Sequence, residues 1–174
     1  MYRRIHHTLH LVFILGLLAL ATALPASAHD TREQVTLADD PTSCIVDVKG
    51  EVLGSTPSEI EGYSLVSARV TFAPGGTLGA HIHPGTLVAT VVEGSLGFTL
   101  ISDAQMDINR APAADGSRAT DVAMPGEEVA LQVGDGFVET GMVHSARNLS
   151  DGPTVVIISG IIETGQPLTQ CVAQ

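Results

Sequence analysis

The chain has 174 residues, with 8 basic against 19 acidic side chains and a formal net charge of −11 at pH 7. Protein contacts to phosphate backbones need clustered Lys and Arg, and Lys49 is the only lysine, so this balance argues against nucleic acid as a partner. The length is sufficient for one domain with its own hydrophobic core.

Residues 1–28 have the three parts of a secretory signal peptide. Two arginines supply the positive charge, residues 9–20 form an apolar run, and the tripeptide at 26–28 matches the small-residue cleavage pattern. An uncleaved membrane anchor is the alternative, but the apolar run is short for a bilayer span. We therefore expect cleavage after Ala28, no stable membrane anchor after processing, and a secreted or periplasmic mature protein.

A polar stretch, 29–43, follows, and we expect it to be an extended N-terminal arm before a domain that spans 44–174. Cys44 and Cys171, near the two ends of that domain, are the only cysteines. In an oxidising compartment they predict one disulfide, which would contribute about 4–5 kcal/mol by restricting the unfolded chain. Free thiols that ligate a metal are the alternative, but the chain has no Cys-x-x-Cys spacing.

The domain has the pattern of short strands separated by turns. Its apolar and β-branched runs are bounded by turns that contain glycine or proline, and no long segment shows helical periodicity. This pattern predicts an all-β barrel or sandwich. The predicted strands are 44–48, 63–73, 80–83, 87–92, 96–101, 129–133, 136–139, 143–148 and 154–162.

Residues 102–121 interrupt this series of strands. The segment carries four aspartates among Ala, Pro, Gly and Arg, and these acids do not have the spacing of an EF-hand calcium loop. Loops of this length are uncommon unless they are functional or disordered. We therefore expect a mobile, solvated inter-strand loop rather than a lid or a calcium site.

Three histidines are the strongest candidates for a functional site. Alternate side chains of a strand project from one face, so His81 and His83 would present two imidazoles to one point. His144 stands in a later predicted strand, behind Gly141. Imidazole is the commonest protein metal ligand, although a His-x-His sequence also occurs by chance. Histidines that line a pocket without a metal are the alternative.

The residues around these histidines resemble the two motifs of the cupin superfamily. Two linked motifs in the expected order are more specific than either alone. The resemblance covers residues 75–148 and implies one cupin-type double-stranded β-helix, a jelly-roll barrel. The first motif is carried by Gly75, His81, His83, Glu93 and Gly94, and the second by Gly134, Asp135, Gly141, His144 and Asn148.

The resemblance also implies a site for one divalent transition metal, Fe, Mn, Ni, Zn or Cu, ligated by His81, His83 and His144. The family motif usually places a glutamate ligand four residues after the second histidine, where this chain has Leu87. Leucine cannot coordinate a metal. Family members commonly pair their subunits, so a homodimer is expected as well.

The missing glutamate leaves two alternatives open. Either the site has three histidines only, or an oxygen ligand comes from elsewhere, and Glu139 and Thr86 are the nearest candidates. Met142 lies two residues before His144, so in an extended strand it shares that face. We expect Met142 to line the pocket, with ligation by its soft sulfur as the alternative.

Three functions fit the resemblance. The first is metal-dependent chemistry on a small molecule, either a dioxygenase-type oxidation or an isomerase-like step, with Glu139 as the candidate acid–base residue. The second is a non-catalytic module that binds or senses a small molecule, in which the metal is structural or absent. The third is a structural barrel in a larger assembly. The fold alone does not choose between them.

Overall fold

The structure is a computed structural model that describes residue 40 and residues 42–173. The predicted signal peptide, its cleavage site and most of the predicted arm lie outside the described residues. Across the part that is described there is no helix with the length and apolar character of a membrane span. The strands are β1 (Ile45–Pro57), β2 (Tyr63–Ile82), β3 (Gly85–Glu93), β4 (Ser95–Leu100), β5 (Met106–Asn109), β6 (Thr120–Ala123), β7 (Glu128–Gln132), β8 (Gly136–Thr140), β9 (His144–Asn148), β10 (Thr154–Glu163) and β11 (Gln170–Cys171).

These strands form a nearly closed antiparallel barrel, which confirms the all-β jelly-roll prediction. Their hydrogen-bonded order is β6-β5-β8-β3-β10-β2-β9-β4-β7, and β1 and β11 also pair with β2. Strand β2 pairs with β10 along residues 63–72 and with β9 along residues 77–81. The change of partner occurs at Gly75 and Gly76. Gly75 has a φ of 77°, and a Cβ on Gly76 would lie 2.6 Å from the Asp47 carbonyl oxygen.

Alternate residues of the strands fill the barrel with apolar side chains. In β4, for example, Leu96, Phe98 and Leu100 are 3%, 1% and 0% exposed. Thr99, which alternates with these side chains, is only half-buried. Burial of each such side chain contributes about 1.5–3 kcal/mol, so this core is the main source of stability. It also makes up most of the wall around the histidines.

Cys44 and Cys171 form a disulfide, as the sequence predicts. Their Cα atoms are 5.6 Å apart although the residues are separated by 127 positions. The bond ties the residue before β1 to the last strand, β11. The alternative of free thiols that ligate a metal is therefore wrong in this structure.

The prediction of a solvated loop over residues 102–121 is wrong for part of the segment. Residues 106–109 form β5, which pairs with β6 and β8, and Met106 and Ile108 are 4% and 0% exposed. Two alternating apolar residues are sufficient for a strand here, because the free edge of β8 offers both hydrogen bonds and a core to pack against. Residues 102–105 and 110–119 are the irregular parts of the segment, and β6 begins at residue 120.

Asp135 of the second motif has a structural role. Its carboxylate accepts hydrogen bonds from the backbone N–H groups of Ala111 (2.7 Å) and Gln132 (2.9 Å) and from the guanidinium of Arg110 (2.7 Å). It thereby joins the turn between β7 and β8 to the chain that leaves β5. Charge-assisted bonds of this kind are among the strongest in proteins.

Candidate metal centre

The barrel topology brings the three predicted histidines together. His81 lies near the end of β2 and His83 directly after it, so both side chains project from the same face. His144 is the first residue of β9 and lies directly opposite His81 in the antiparallel register. The three side chains are buried, with exposures of 1%, 7% and 3%. Strand alternation and strand pairing thus place all three imidazoles on one internal wall.

The three rings converge on one point. One ring nitrogen of each histidine lies within 4.8 Å of the other two. The ring centroids of His81 and His144 are 4.1 Å apart, and those of His81 and His83 are 5.1 Å apart. Three imidazoles on rigid strands at this spacing have the chemistry of a facial set of metal ligands.

Backbone carbonyls set the tautomer of all three rings. Each Nδ1 atom lies within hydrogen-bond distance of a carbonyl oxygen, and a carbonyl can only accept, so each Nδ1 carries the proton. Nε2 is then the lone-pair nitrogen that is free to bind a metal, as in known sites where the other ring nitrogen is held by a backbone carbonyl. The pairs are His81 with Gly79 (2.7 Å), His83 with Leu168 (2.6 Å) and His144 with Met142 (2.9 Å).

Burial keeps these imidazoles neutral. The pKa of His81 falls from 6.5 to about 3. Burial is the largest cause of this decrease, and the nearby His83 is the second. Burial likewise lowers the pKa of His83, although the hydrogen bond that His83 donates to the Leu168 carbonyl acts in the opposite direction. Burial also holds the pKa of His144 well below 6.5. Only a neutral imidazole can ligate a metal, so the rings need not lose a proton near neutral pH.

Glu139 joins the histidines from strand β8. Its Oε1 lies 3.6 Å from Nε2 of His83, and its Oε2 lies 3.6 Å from Nδ1 of His144. The side chain is 2% exposed, and neither oxygen has a hydrogen-bond partner among the described residues. Burial raises the pKa of this carboxyl group to about 8. Buried polar atoms without partners are rare in folded proteins, and a cation among the three histidines would give this carboxylate a partner.

The other predicted pocket residues are divided between the two faces of the barrel. Leu87 is 1% exposed and lines the cavity directly opposite Glu139 in the pairing of β3 with β8. Thr86 alternates with Leu87 and lies on the outer face, where its hydroxyl bonds that of Thr140 at 3.1 Å. Met142 packs against the core, and its part in the site is the carbonyl that accepts from His144. Because its side chain is on the outer face of the barrel, Thr86 cannot ligate a metal that is bound by the histidines inside.

An internal cavity adjoins the histidines. It measures about 40 Å³, and since about 10–15 Å³ on this scale holds one water molecule, it has room for a ligand of a few non-hydrogen atoms. Within the described part of the chain, no Lys or Arg lines it. Its walls are formed by Val70, Phe72, Leu78, His81, His83, Leu87, Ala89, Leu96, Phe98, Phe137, Glu139, His144, Ala146, Val156, Ile158 and Thr169.

Glu139 and the Leu168 carbonyl are the parts of the site that the sequence indicates least. Glu139 has one weak signal, because it alternates with the buried Phe137 along the same predicted strand. The carbonyl of Leu168 has none, since it reaches His83 across 85 residues. Long-range backbone contacts of this kind leave no pattern in the side-chain sequence.

Several solved structures are similar to this chain at low identity. An uncharacterized protein with a double-stranded β-helix domain from Klebsiella pneumoniae is 18% identical over 74% of this chain and 85% of its own, with a TM-score of 0.46. A cupin 2 domain-containing protein from Halorhodospira halophila is 14% identical over 79% and 80%, with a TM-score of 0.45. The polyketide cyclase RemF from Streptomyces resistomycificus is 18% identical over 84% of each chain, with a TM-score of 0.41.

All three TM-scores lie below 0.5, so these structural similarities do not assign the chain to a family. The assignment depends on the match of the sequence to a family model. A search among curated proteins finds no match. The cupin family model matches residues 41–169, which span most of the chain and include all three histidines and Glu139. The chain therefore belongs to the cupin family.

Proposed function

We propose that this protein is an exported cupin that binds one divalent transition metal and acts on, or binds, a small molecule there. His81, His83 and His144 would hold the metal through Nε2, and Glu139 would supply a fourth, oxygen ligand. The observation that carries the proposal is the buried Glu139 carboxylate, which lies 3.6 Å from Nε2 of His83 without a hydrogen-bond partner in the described chain.

A metal accounts for Glu139 better than a metal-free pocket does. The barrel positions a carboxyl group among neutral rings, with its pKa raised to about 8 by burial. An unpaired buried carboxylate is strongly destabilising, and a protonated one leaves its O–H group without an acceptor here. A divalent ion removes both penalties, because the ionised carboxylate then faces a positive charge.

The donor set narrows the choice of metal without fixing it. Three imidazoles and one carboxylate suit Fe, Mn, Ni, Zn or Cu in their divalent states, whereas Ca²⁺ and Mg²⁺ prefer sites made of oxygen. When bound, such an ion supplies Lewis acidity or one-electron chemistry to a small molecule at its remaining positions. Dioxygenase-type oxidation and isomerisation both fall within this range.

The residues of this chain would orient the reactants and exclude water. The three carbonyl bonds hold the rings in one tautomer, and the apolar walls around Phe98 and Phe137 keep bulk solvent away. Where Glu139 is not bound to the metal, it is the one carboxyl group among the described residues of the cavity wall, and it can accept or return a proton. In an enzyme it is therefore the acid–base residue that we propose.

The cavity also indicates the size and charge of the molecule that binds. A space of about 40 Å³ admits only a few non-hydrogen atoms. No cationic side chain among the described lining residues would neutralise a second negative charge. We therefore propose a small neutral or singly charged molecule, held by the metal and by contact with apolar walls.

A non-catalytic binding or sensing module is the second candidate. The observation that favours it is Leu87, which occupies the position where the family motif usually has a carboxylate and which adds to the apolar wall. In that case the metal would only hold the barrel together or present the ligand. Turnover of a small molecule by the metal-loaded protein separates the two candidates.

Export and a homodimer complete the proposal. The disulfide between Cys44 and Cys171 is consistent with an oxidising compartment outside the cytosol. Val88 and Val138, each 50% exposed, lie side by side on the outer face of β3 and β8 and offer an apolar surface to a second copy. Sequencing of the mature N-terminus and light scattering after gel filtration test these two points.

Elemental analysis of the purified protein, loaded separately with each metal, tests the proposed centre. We expect about one ion per chain for the wild type and almost none for His83→Ala or His144→Ala. Met142→Leu is the matched control, since it keeps the carbonyl that orients His144 and conserves the side-chain volume. Oxygen-uptake and product assays with small alcohols and acids would then distinguish an enzyme from a binder. Equal metal content in all four proteins would overturn the proposal.

A further inference from the structure

The C-terminal segment, 164–173, crosses back to the metal centre after β10 ends. Its first half is exposed, but Leu168 packs against the core, Thr169 lines the cavity, and Cys171 is fully buried. The segment ends in the two-residue strand β11, in which Cys171 lies directly opposite His81. It therefore touches the ligand strand at the place where the ligands stand.

Both sides of the disulfide lead to a carbonyl that orients an imidazole. On one side, Leu168 lies three residues before Cys171, and its carbonyl accepts from Nδ1 of His83 at 2.6 Å. On the other side, the carbonyl of Cys44 accepts from the N–H of Gly79 at 2.9 Å, and the Gly79 carbonyl accepts from Nδ1 of His81 at 2.7 Å.

The third ligand is independent of this arrangement. Nδ1 of His144 donates to the carbonyl of Met142, two residues earlier in its own chain segment. The structure therefore contains an internal control, since two imidazoles are linked to the disulfide and one is not.

We infer that the Cys44–Cys171 disulfide is a positioning element of the metal centre, which holds the Leu168 carbonyl against His83. Without the covalent bond, the segment is attached to β2 by the two residue pairs of β11 and by one hydrogen bond, from the N–H of Val172 to the carbonyl of Ala80 at 2.9 Å. Fraying of so short a strand would release His83 to rotate and to change tautomer. The expected consequence, tight metal binding, rests on the proposed function. The contacts between the disulfide, the Leu168 carbonyl and His83 do not depend on that proposal.

The first test compares the wild type with the double variant Cys44→Ala/Cys171→Ala, both metal-free. Long-range ¹H–¹⁵N NMR spectra report which ring nitrogen of each histidine carries the proton. We expect His83 to change from a single Nδ1–H form to a mixture of tautomers in the variant, whereas His144 keeps its Nδ1–H form. A merely global loss of stability would leave both rings unchanged in the folded population. An unchanged His83 would overturn the inference.

The second test measures metal affinity in the same two proteins. Loss of a group that orients a ligand typically weakens metal binding about 10- to 100-fold, and we expect a decrease in this range. Equal affinities within about 3-fold would contradict the inference. A wild type that binds no metal would contradict the proposed function instead, and the NMR comparison would still decide the positioning role.

A further variant decides the matter if the double variant does not fold. Insertion of two glycines between Leu168 and Thr169 keeps the disulfide but frees the Leu168 carbonyl from its fixed distance to Cys171. We expect the same change of tautomer at His83, with His144 unaffected. Insertion of two glycines at the exposed turn around Gly116 is the control, and His83 should keep its Nδ1–H form there.

Discussion

Leu87 and Glu139 lie directly opposite each other on the paired strands β3 and β8, and both side chains are buried in the wall of one cavity. The cupin motif usually has a carboxylate at the position of Leu87. In this chain a carboxylate reaches the same cavity from the neighbouring strand. Under the proposed function, the two side chains would have exchanged the roles of ligand and wall, while the histidine positions are kept.

Exchange of the two residues tests this relationship. Glu139→Leu removes the carboxylate, and we expect its metal affinity to fall about 10-fold or more, because even the loss of an outer-shell partner has that effect. The double variant Leu87→Glu/Glu139→Leu returns one carboxylate and one leucine to the same cavity. We expect it to regain most of the lost affinity, as measured by isothermal titration with Zn²⁺ or Mn²⁺.

Glu139→Gln is the matched control, because it keeps the shape of the side chain but lacks the charge. It should bind metal as weakly as Glu139→Leu. If Glu139→Leu and Glu139→Gln both bind as tightly as the wild type, the carboxylate is not a ligand.

Metal binding at pH 7 should release about one proton, and that proton should come from Glu139. Burial raises the pKa of this carboxyl group to about 8, so it is largely protonated at pH 7 before a metal binds and ionised afterwards. The histidines are already neutral and release none. Calorimetric titration in buffers of different ionisation enthalpy counts the protons.

The count in Glu139→Gln identifies the source of the proton. We expect close to zero for this variant. A release of about one proton from both proteins would show that the proton comes from water or from a histidine.

The sequence predicts the fold and the histidines well because both depend on local pattern. Alternation and glycine turns indicate most strands, and strand periodicity alone places His81 beside His83. Two predicted strands, 63–73 and 80–83, are one continuous β2, because the glycines between them bend the strand without ending its pairing. The sequence missed β5, β6 and β11, whose two to four residues are too few to show a period.

The proposed fourth ligand, Glu139, is harder to predict from the sequence than the three histidines. Glu139 reaches the site through the register of β8 against β3, and register is a tertiary property that one sequence does not show. The same holds for Thr86, which differs from Leu87 by one position and for that reason faces outward. The role of the Leu168 carbonyl is harder still to predict, because a backbone oxygen makes the contact and the identity of its side chain gives no signal.

The stability of the metal-free protein should depend on pH through Glu139. The folded protein keeps this carboxyl group protonated up to about pH 8, whereas the unfolded chain ionises it above its ordinary pKa of 4.5. The folded state binds the extra proton in this window, so stability falls as pH rises, by at most about 1.4 kcal/mol per pH unit. Glu139→Gln removes this contribution, and its advantage over the wild type should grow between pH 5 and pH 8.

Denaturant unfolding in the presence of a chelator measures this difference. His81 has the opposite sign, because its pKa is lowered from 6.5 to about 3 and the unfolded chain binds the extra proton between those values. Its contribution is lost as pH falls below 6.5 and is common to both proteins, so it cancels from the comparison. A difference between the two proteins that is constant from pH 5 to pH 8 would contradict the raised pKa of Glu139.

Asn148 should matter for stability and not for the metal. Its side-chain N–H groups donate to the carbonyls of Ala73 at 2.9 Å and Gly152 at 2.7 Å, and its oxygen accepts from the hydroxyl of Thr154 at 2.6 Å. Asn148→Ala removes these three hydrogen bonds, although the Thr154 hydroxyl keeps the Ser95 carbonyl as an acceptor at 3.0 Å. We expect a loss of about 3 kcal/mol in the free energy of unfolding. The folded variant should still bind about one metal ion. Loss of the metal from folded protein would give Asn148 a role in the site.

The most direct test of the metal centre is anomalous X-ray scattering from crystals of the metal-loaded protein. We expect one strong peak inside the barrel, about 2.0–2.2 Å from Nε2 of His81, His83 and His144 and within ligand distance of Glu139. A peak among surface carboxylates alone, or no peak between the three rings at full loading, would contradict it.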